Sequence, residues 1–297
     1  MKDLKGIITA MVTPFDDNEK LDLDAAKKMA RWLINKGIHG LFIVGTNGEA
    51  HVLSADEKVA LTKAVVEEAK GEVPVVAGGG CCGTKETIEL CLRLKDAGAD
   101  YISVVTPYFL VPKQEQLYLH YMEIAEAVDA PLILYNIPGQ TGLTIEPATA
   151  ARLADVKNII GIKDSGGDFE IQKAYLEISK EKDFKVYNGS DSLMLDAFKC
   201  GSVGSVAATS NVLPEIEVQL YNSFIKGDLA GAQAEREKID MLRANLKKGV
   251  APTVMKKTLN LMGVHAGIAR RPGREPNQDV VKDIQKMIEY YGISEKK

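Results

Sequence analysis

Cysteine is scarce in this 297-residue sequence: Cys81, Cys82, Cys91 and Cys200 form no CxxC pair and have no histidines at zinc-ligand spacing. A disulfide framework and a zinc ribbon are therefore both without material, and a reducing cytoplasm is the expected location. Histidine is equally sparse. His39, His51, His120 and His265 lie far apart, and no HExxH or EF-hand loop occurs, so no metal is expected. His51 reads as surface or as a support to a neighbouring group rather than as a ligand. No apolar run approaches the roughly 20 residues of a membrane span, and the opening "MKDLKGIITAMVTPF" is not of signal type, so a soluble protein with no membrane partner is expected. The formal net charge is only -4, and the one basic cluster, "ARRPGREP" around Arg270, Arg271 and Arg274, has no interleaved aromatics. That excludes a nucleic-acid footprint and reads as a solvated loop.

What is present is repetition of pattern. Seven apolar runs recur every 25 to 35 residues or so, and an eighth follows sooner: "GIITAMV", "GLFIVG", "VPVVAG", "YISVVTP", "PLILYN", "IIGIK", "FKVYNG" and "VGSVAA". They are apolar on both faces, as parallel strands covered by helices are, and nearly every gap holds an amphipathic stretch of helical period. Ser54 followed by Glu57 spells a capping box, Ser190 and Asp191 are candidate caps for the helix after the seventh run, and Pro214 suits a first helical turn. In "AAKKMARWLINKG", Met29, Trp32 and Leu33 share one side, and Gly37 stops the helix. Eight such units predict an α/β fold, a (β/α)8 TIM barrel over residues 1–227. The strand signal then disappears, and "AGAQAEREKIDMLRANLKK", "APTVMKKTLNLMG" and "NQDVVKDIQKMIEYYG" predict a helical C-terminal extension over 228–297.

A barrel gathers its active site at the C-terminal ends of its strands. Those ends carry "GTNGE" (45–49), "GGG" (78–80), "TPYF" (106–109), Tyr135 and Asn136, Lys163, and "NGS" (188–190). Lys163 closes the apolar run "NIIGIK". An amine at the lip of a core either snorkels to water or has had its basicity lowered. A free lysine of pKa about 10.4 is neutral in only about four molecules in ten thousand at pH 7, and a pKa of about 7 to 8 raises that several hundred-fold. Flanking Ile160 and Ile162 are the expected source of desolvation. A neutral amine attacks carbonyls, and imine chemistry needs a proton shuttle, for which Tyr135 is the candidate. Tyr135 also reads as a barrel-layer aromatic with its hydroxyl on a backbone carbonyl. "GTNGE" offers backbone amides, the Thr46 hydroxyl and the Asn47 amide to a small carboxylate, with Gly48 permitting the turn; as a tight turn before a helix it needs no ligand.

Together "GTNGE", "TPYF", "YNIPGQTG" and "NIIGIKDS" resemble the dihydrodipicolinate synthase / N-acetylneuraminate lyase family, and the resemblance covers the whole chain. It implies a (β/α)8 barrel with a helical extension, a homotetramer, no cofactor, and a Schiff base between pyruvate and the lysine of the sixth strand. Lys163 is then the imine lysine and Tyr135 the phenol that moves protons. Thr46 and Asn47 stand where the family binds the pyruvate carboxylate, and Gly189 and Val206 stand where backbone approaches pyruvate.

Three positions depart from the family's synthases. Asn47 replaces a second threonine, Phe109 a relay tyrosine contributed across the subunit interface, and Gln140 an arginine that clamps the aldehyde's carboxylate. Glutamine cannot make the bidentate charged pair, which is worth about 1.5–3 kcal/mol. Tyr108, one place earlier, replaces the missing phenol only if the loop is rotated. The expected function is a lyase or aldolase acting on pyruvate, or a related 2-oxo acid, and an aldehyde, sugar-derived ones included. 4-Hydroxy-tetrahydrodipicolinate synthase and a 2-oxo acid dehydratase are the alternatives. A nicotinamide-dependent oxidoreductase rests only on "GGGCCG" (78–83), and a non-catalytic binder would sit oddly with Lys163 and Tyr135 both present.

Overall fold

The computed structural model describes residues 3–293. Eight parallel strands close into a barrel in chain order. Strands and helices alternate as β1 (Gly6–Ala10), α1 (Leu23–Asn35), β2 (Gly40–Ile43), α2 (Ala55–Ala69), β3 (Val75–Gly78), α3 (Thr84–Asp96), β4 (Tyr101–Val105), α4 (Gln114–Ala127) and β5 (Leu132–Asn136). The short α5 (Pro138–Thr141) and α6 (Pro147–Leu153) precede β6 (Ile159–Asp164), which is followed by α7 (Phe169–Glu181), β7 (Lys185–Asn188), α8 (Met194–Lys199), β8 (Gly204–Ala207) and α9 (Pro214–Ile225). The chain continues with α10 (Leu229–Lys238), α11 (Asp240–Leu246), α12 (Ala251–Leu261) and α13 (Gln278–Tyr290). The fold is the expected (β/α)8 barrel followed by helices. No helix among the described residues is long and apolar enough to cross a membrane.

The period of two in each strand divides the core. Ile8, Phe42, Val76, Tyr101, Ile133, Tyr135, Tyr187 and Val206 fill the barrel's interior, while Leu41, Ile43, Val75, Ile102, Leu132, Leu134 and Ile162 face the helices. The β5–β6 register sets Tyr135 beside Lys163, and Tyr187 of β7 flanks Lys163 on the other side. In α1, the Asp22 carboxylate accepts from the Ala25 amide; Ala26, Met29 and Leu33 are buried, Trp32 is half-buried, and Gly37 ends the segment at φ +86°. The Ser54–Glu57 capping box is present, and Pro214 opens α9.

Two expectations are corrected. Ser190 and Asp191 do not cap α8. That helix begins two residues later, and the Asp191 carboxylate instead accepts from the amides of Ala208 (3.2 Å) and Thr209 (3.3 Å) beyond β8, a 17-residue reach invisible to local spacing. "AGAQAEREKIDMLRANLKK" is helical as expected, in two helices that meet at Ile239, whose side chain is buried with Ile7, Ala207, Leu220 and Ala232. The basic cluster is not simply solvated. Arg271 and Arg274 are exposed, but the Arg270 guanidinium is held by the Glu57 carboxylate (2.7 and 3.0 Å) and by the carbonyls of Glu19 and Val52.

Candidate active site

Lys163 ends on the inner face of β6 and is only 4% exposed. Its amine lies 3.9 Å from the centre of the Tyr135 ring and 4.3 Å from that of Phe42. Among the described residues, no carboxylate pairs with it. The nearest in sequence, Asp164, points to the other side of the strand, where it accepts from the Asn136 side chain (2.7 Å) and the Gly166 amide (3.0 Å). Burial pushes the Asp164 carboxyl upward in pKa against those two bonds. The apolar wall around the amine is not the pair Ile160 and Ile162. Alternation sends Ile162 out to the helices, whereas the register shift between β5 and β6 turns Ile160 into the barrel interior, and the two rings supply the rest of the wall.

The Tyr135 hydroxyl meets the Thr46 hydroxyl at 3.2 Å. This joins the end of β5 to the turn after β2, and it answers whether Tyr135 is a simple barrel-layer aromatic: its ring is in the layer, but its hydroxyl points to another side chain. Thr46, Asn47, Tyr108, Tyr135 and Gln140 line one cavity of about 410 Å³, together with Phe42. Lys163 is not in that lining, but its amine sits over the rings of Phe42 and Tyr135, which are.

The turn that carries Thr46 and Asn47 has an unusual backbone. Val44 (φ 55°) and Glu49 (φ 55°) both lie in the left-handed region, uncommon for any side chain and an outlier for a β-branched one. Thr13 donates its hydroxyl to the Gly48 carbonyl at 2.7 Å, and a Cβ on Gly48 would stand 3.2 Å from both Met11 O and Thr13 Oγ1. Gly48 is thus a buried anchor of the turn. Glu49, 3% exposed, turns its carboxylate away from the cavity toward α12. There the Lys256 ammonium approaches Oε1 to 2.5 Å, and the Arg270 amide donates to Oε2 at 2.9 Å. The lysine contact is an ion pair rather than a directional hydrogen bond, because Oε1 has no hydrogen-bond partner of good geometry. Burial lowers the Lys256 pKa to about 8, against the opposing pull of Glu49.

The remaining expected residues divide. Gln140 and Tyr108 reach the cavity, and burial together with the nearby Cys82 thiol pushes the Tyr108 phenol up to about 12. Phe109 does not reach it: at φ 76° and 88% exposed, it points outward beside exposed Leu110 and Val111. In this chain Tyr108, and not Phe109, lines the cavity. Gly189 and Val206 sit at the ends of β7 and β8, outside the cavity lining. A Cβ on Gly189 would lie 2.1 Å from Ser165 Oγ, and Val206 fills the barrel interior. His51 borders the cavity and is exposed. Gly78 and Gly80 have a steric role rather than a cradling one, since added Cβ atoms would stand 2.0 Å from Val44 O and 2.6 Å from Val105 N.

Sequence reasoning missed Phe42, Glu49, Lys256 and Lys58. Lys256 carried a signal: in "APTVMKKTLNLMG" it falls in phase with Leu259 on the apolar side of α12, an odd place for a charge. Lys58, buried on α2, also lines the cavity.

The sequence profile of the dihydrodipicolinate synthetase family matches residues 3–290. The 4-hydroxy-tetrahydrodipicolinate synthase of Methanopyrus kandleri is 35% identical over 98% of this chain and 97% of its own. Among solved structures, the chloride-inhibited dihydrodipicolinate synthase of Acinetobacter baumannii, complexed with pyruvate, superposes with a TM-score of 0.94 at 35% identity, covering 98% of this chain and 100% of that one. A prophage protein of the same family from E. coli K12, also in complex with pyruvate, gives 0.93 at 27% identity over 98% and 99% of the two chains. The match from end to end, on a barrel whose sixth strand ends in a buried, acid-free lysine, makes this chain a Schiff-base-forming lyase of the dihydrodipicolinate synthetase family.

Proposed function

We propose that the protein condenses pyruvate with an aldehyde through an imine on Lys163, and that the aldehyde is the one used by 4-hydroxy-tetrahydrodipicolinate synthases. The observation that carries the imine step is the acid-free Lys163 amine set against Tyr135, whose hydroxyl is bonded to Thr46. An amine paired to a carboxylate would be held as ammonium; this one is free to give its lone pair to a ketone once its proton has left. The amine nitrogen adds to the carbonyl carbon of pyruvate. Water then leaves as the carbinolamine collapses, with Tyr135 returning a proton to the departing hydroxyl and Thr46 orienting the phenol. The cationic imine draws electrons, the methyl group loses a proton to the Tyr135 phenolate left by that transfer, and the resulting enamine carbon adds to the aldehyde, whose oxygen takes the proton back from the phenol. Hydrolysis restores the amine.

Thr46 Oγ1, the Asn47 side chain and the turn's amides hold the pyruvate carboxylate. Gly189 and Val206 border it through backbone at the ends of β7 and β8, and Gln140 and Tyr108 face the aldehyde from across the cavity. Support for the specific aldehyde comes from the relatives, which are named 4-hydroxy-tetrahydrodipicolinate synthases at 34–39% identity. They favour that reading over the sugar-derived aldehyde suggested by sequence alone. One observation favours the second reading: Gln140 lines the cavity, and no arginine is among its lining residues. Residues 1–227 would carry the chemistry and 228–297 would brace it, in a cytoplasmic homotetramer whose mass in solution light scattering would report.

The decisive experiment is borohydride reduction with pyruvate and peptide mapping. The adduct is expected on the peptide containing Lys163, and its absence there would overturn the imine. A panel of aldehydes then follows. Preference for aspartate semialdehyde supports the synthase, and preference for uncharged or sugar-derived aldehydes supports the second reading.

A further inference from the structure

The helices after the barrel line the cavity at the start of α12, through Val250, Ala251 and Pro252, and grip the turn beside it one turn further on. Lys256 on α12 is 1% exposed, and its ammonium meets three things: Glu49 Oε1 at 2.5 Å, the Ile268 carbonyl at 2.7 Å, and the face of Phe15 at 4.3 Å from the ring centre. Arg270, on the segment after α12, covers the same ring at 4.2 Å; its amide holds the other Glu49 oxygen, and its guanidinium takes the Val52 carbonyl. The stretch from Thr46 to Val52 is therefore gripped at Glu49 and Val52 by residues more than 200 positions later. Glu49 is left-handed, and its amide bonds back to the Thr46 carbonyl at 3.1 Å. A residue in that conformation persists only when its surroundings over-determine it. Releasing the Glu49 carboxylate would let its backbone relax toward ordinary φ, which breaks the bond to the Thr46 carbonyl and loosens the turn around the Asn47 side chain and the turn's amides.

We propose that the Glu49–Lys256 ion pair is a positioning device, through which the C-terminal helices hold the Thr46–Asn47 turn in the shape that binds the 2-oxo acid. This rests on the reading above that the turn holds the pyruvate carboxylate. Neither Glu49 nor Lys256 touches substrate. Both act on affinity through the turn, while Lys163 and Tyr135 lie on β6 and β5, and Phe42 lies within β2 ahead of the turn, so all three are left in place.

The test needs no second substrate. Borohydride trapping against pyruvate concentration gives a half-saturation point and a plateau, and deuterium exchange into the pyruvate methyl group, followed by NMR, gives the maximal rate of enamine formation. For Lys256→Met we expect half-saturation to rise roughly tenfold or more, with the trapping plateau intact and maximal exchange within about threefold of the parent. Glu49→Gln, which keeps an acceptor for the Arg270 amide, should give a smaller rise in the same direction. It decides the matter if Lys256→Met does not fold. Unchanged half-saturation in a folded variant, judged by its thermal melt, would overturn the proposal. So would a fall in plateau and exchange rate with no change in half-saturation. Asn47→Ala separates the two ideas. If it leaves half-saturation unchanged, the turn does not hold the carboxylate and the underlying reading fails. If it raises half-saturation while the Glu49 and Lys256 variants do not, only the positioning role fails.

Discussion

Two lysines of this barrel are buried against aromatic rings, and they differ in one respect. Lys163 faces Tyr135 and Phe42 with no acid, and Lys256 faces Phe15 with Glu49 and a backbone carbonyl in reach. Burial alone therefore assigns no role. A buried cation with its charge answered is part of the framework, whereas one left unanswered is retained at a cost in stability that only chemistry explains.

The comparison breaks most visibly at Lys163. Lys163→Met should abolish borohydride trapping and lower methyl exchange by at least about a thousandfold. Because it replaces an unpaired amine with an apolar chain of similar length, its urea midpoint should equal or exceed that of the parent; a clear loss of stability would place Lys163 among the structural lysines. Tyr135→Phe keeps the ring beside the amine and removes the hydroxyl bonded to Thr46, so it should slow exchange by about 10²–10⁴-fold with little change in the melt. An unaffected rate would remove the phenol from the proton path. Lys256→Met should do the reverse of Lys163→Met, costing about 3–5 kcal/mol in urea unfolding because Glu49 is left buried and charged. Adding Glu49→Gln should restore much of it, and additive losses would mean the two residues are not coupled.

The smallest effect is in pH. With Lys256 lowered to about 8 in the fold and near 10.5 when unfolded, the unfolded chain holds the extra proton between those values. Its contribution to stability therefore rises from pH 8 to 10.5 and is fully present above that window. Subtracting the Glu49→Gln, Lys256→Met double variant isolates it from other groups. One of these is Cys91, which burial raises to about 12 and which opposes it. A difference curve flat across that window would mean that burial does not hold Lys256 below its ordinary pKa.

The barrel was legible because its information is local. Each apolar run and each amphipathic gap declares itself within about a dozen residues, and the Ser54–Glu57 cap needs only four. Lys163, Tyr135 and Thr46 were legible because strand ends of a barrel converge, so that residues 89 apart in sequence meet at one mouth. What lay out of reach was long-range electrostatics. Glu49 and Lys256 are separated by 207 positions, and nothing near either marks the other. The same holds for Asp191, which looked like a cap and instead ties β8 to β7, and for Arg270, whose loop composition suggested solvent. Ile162 failed for a different reason. Adjacency in sequence was taken for adjacency in space, and in a strand the neighbouring residue faces the opposite way.

Val44 carries a consequence for how this sequence can drift. Its inverted backbone aims its carbonyl at the end of β3, where a Cβ on Gly78 would come within 2.0 Å. The valine and the glycine are thus one mutational unit: Gly78→Ala is intolerable while residue 44 keeps its inversion and becomes admissible only after that inversion is gone. Substitutions here are order-dependent, so ancestors and descendants that differ at one of these positions should be found to differ in backbone at the other.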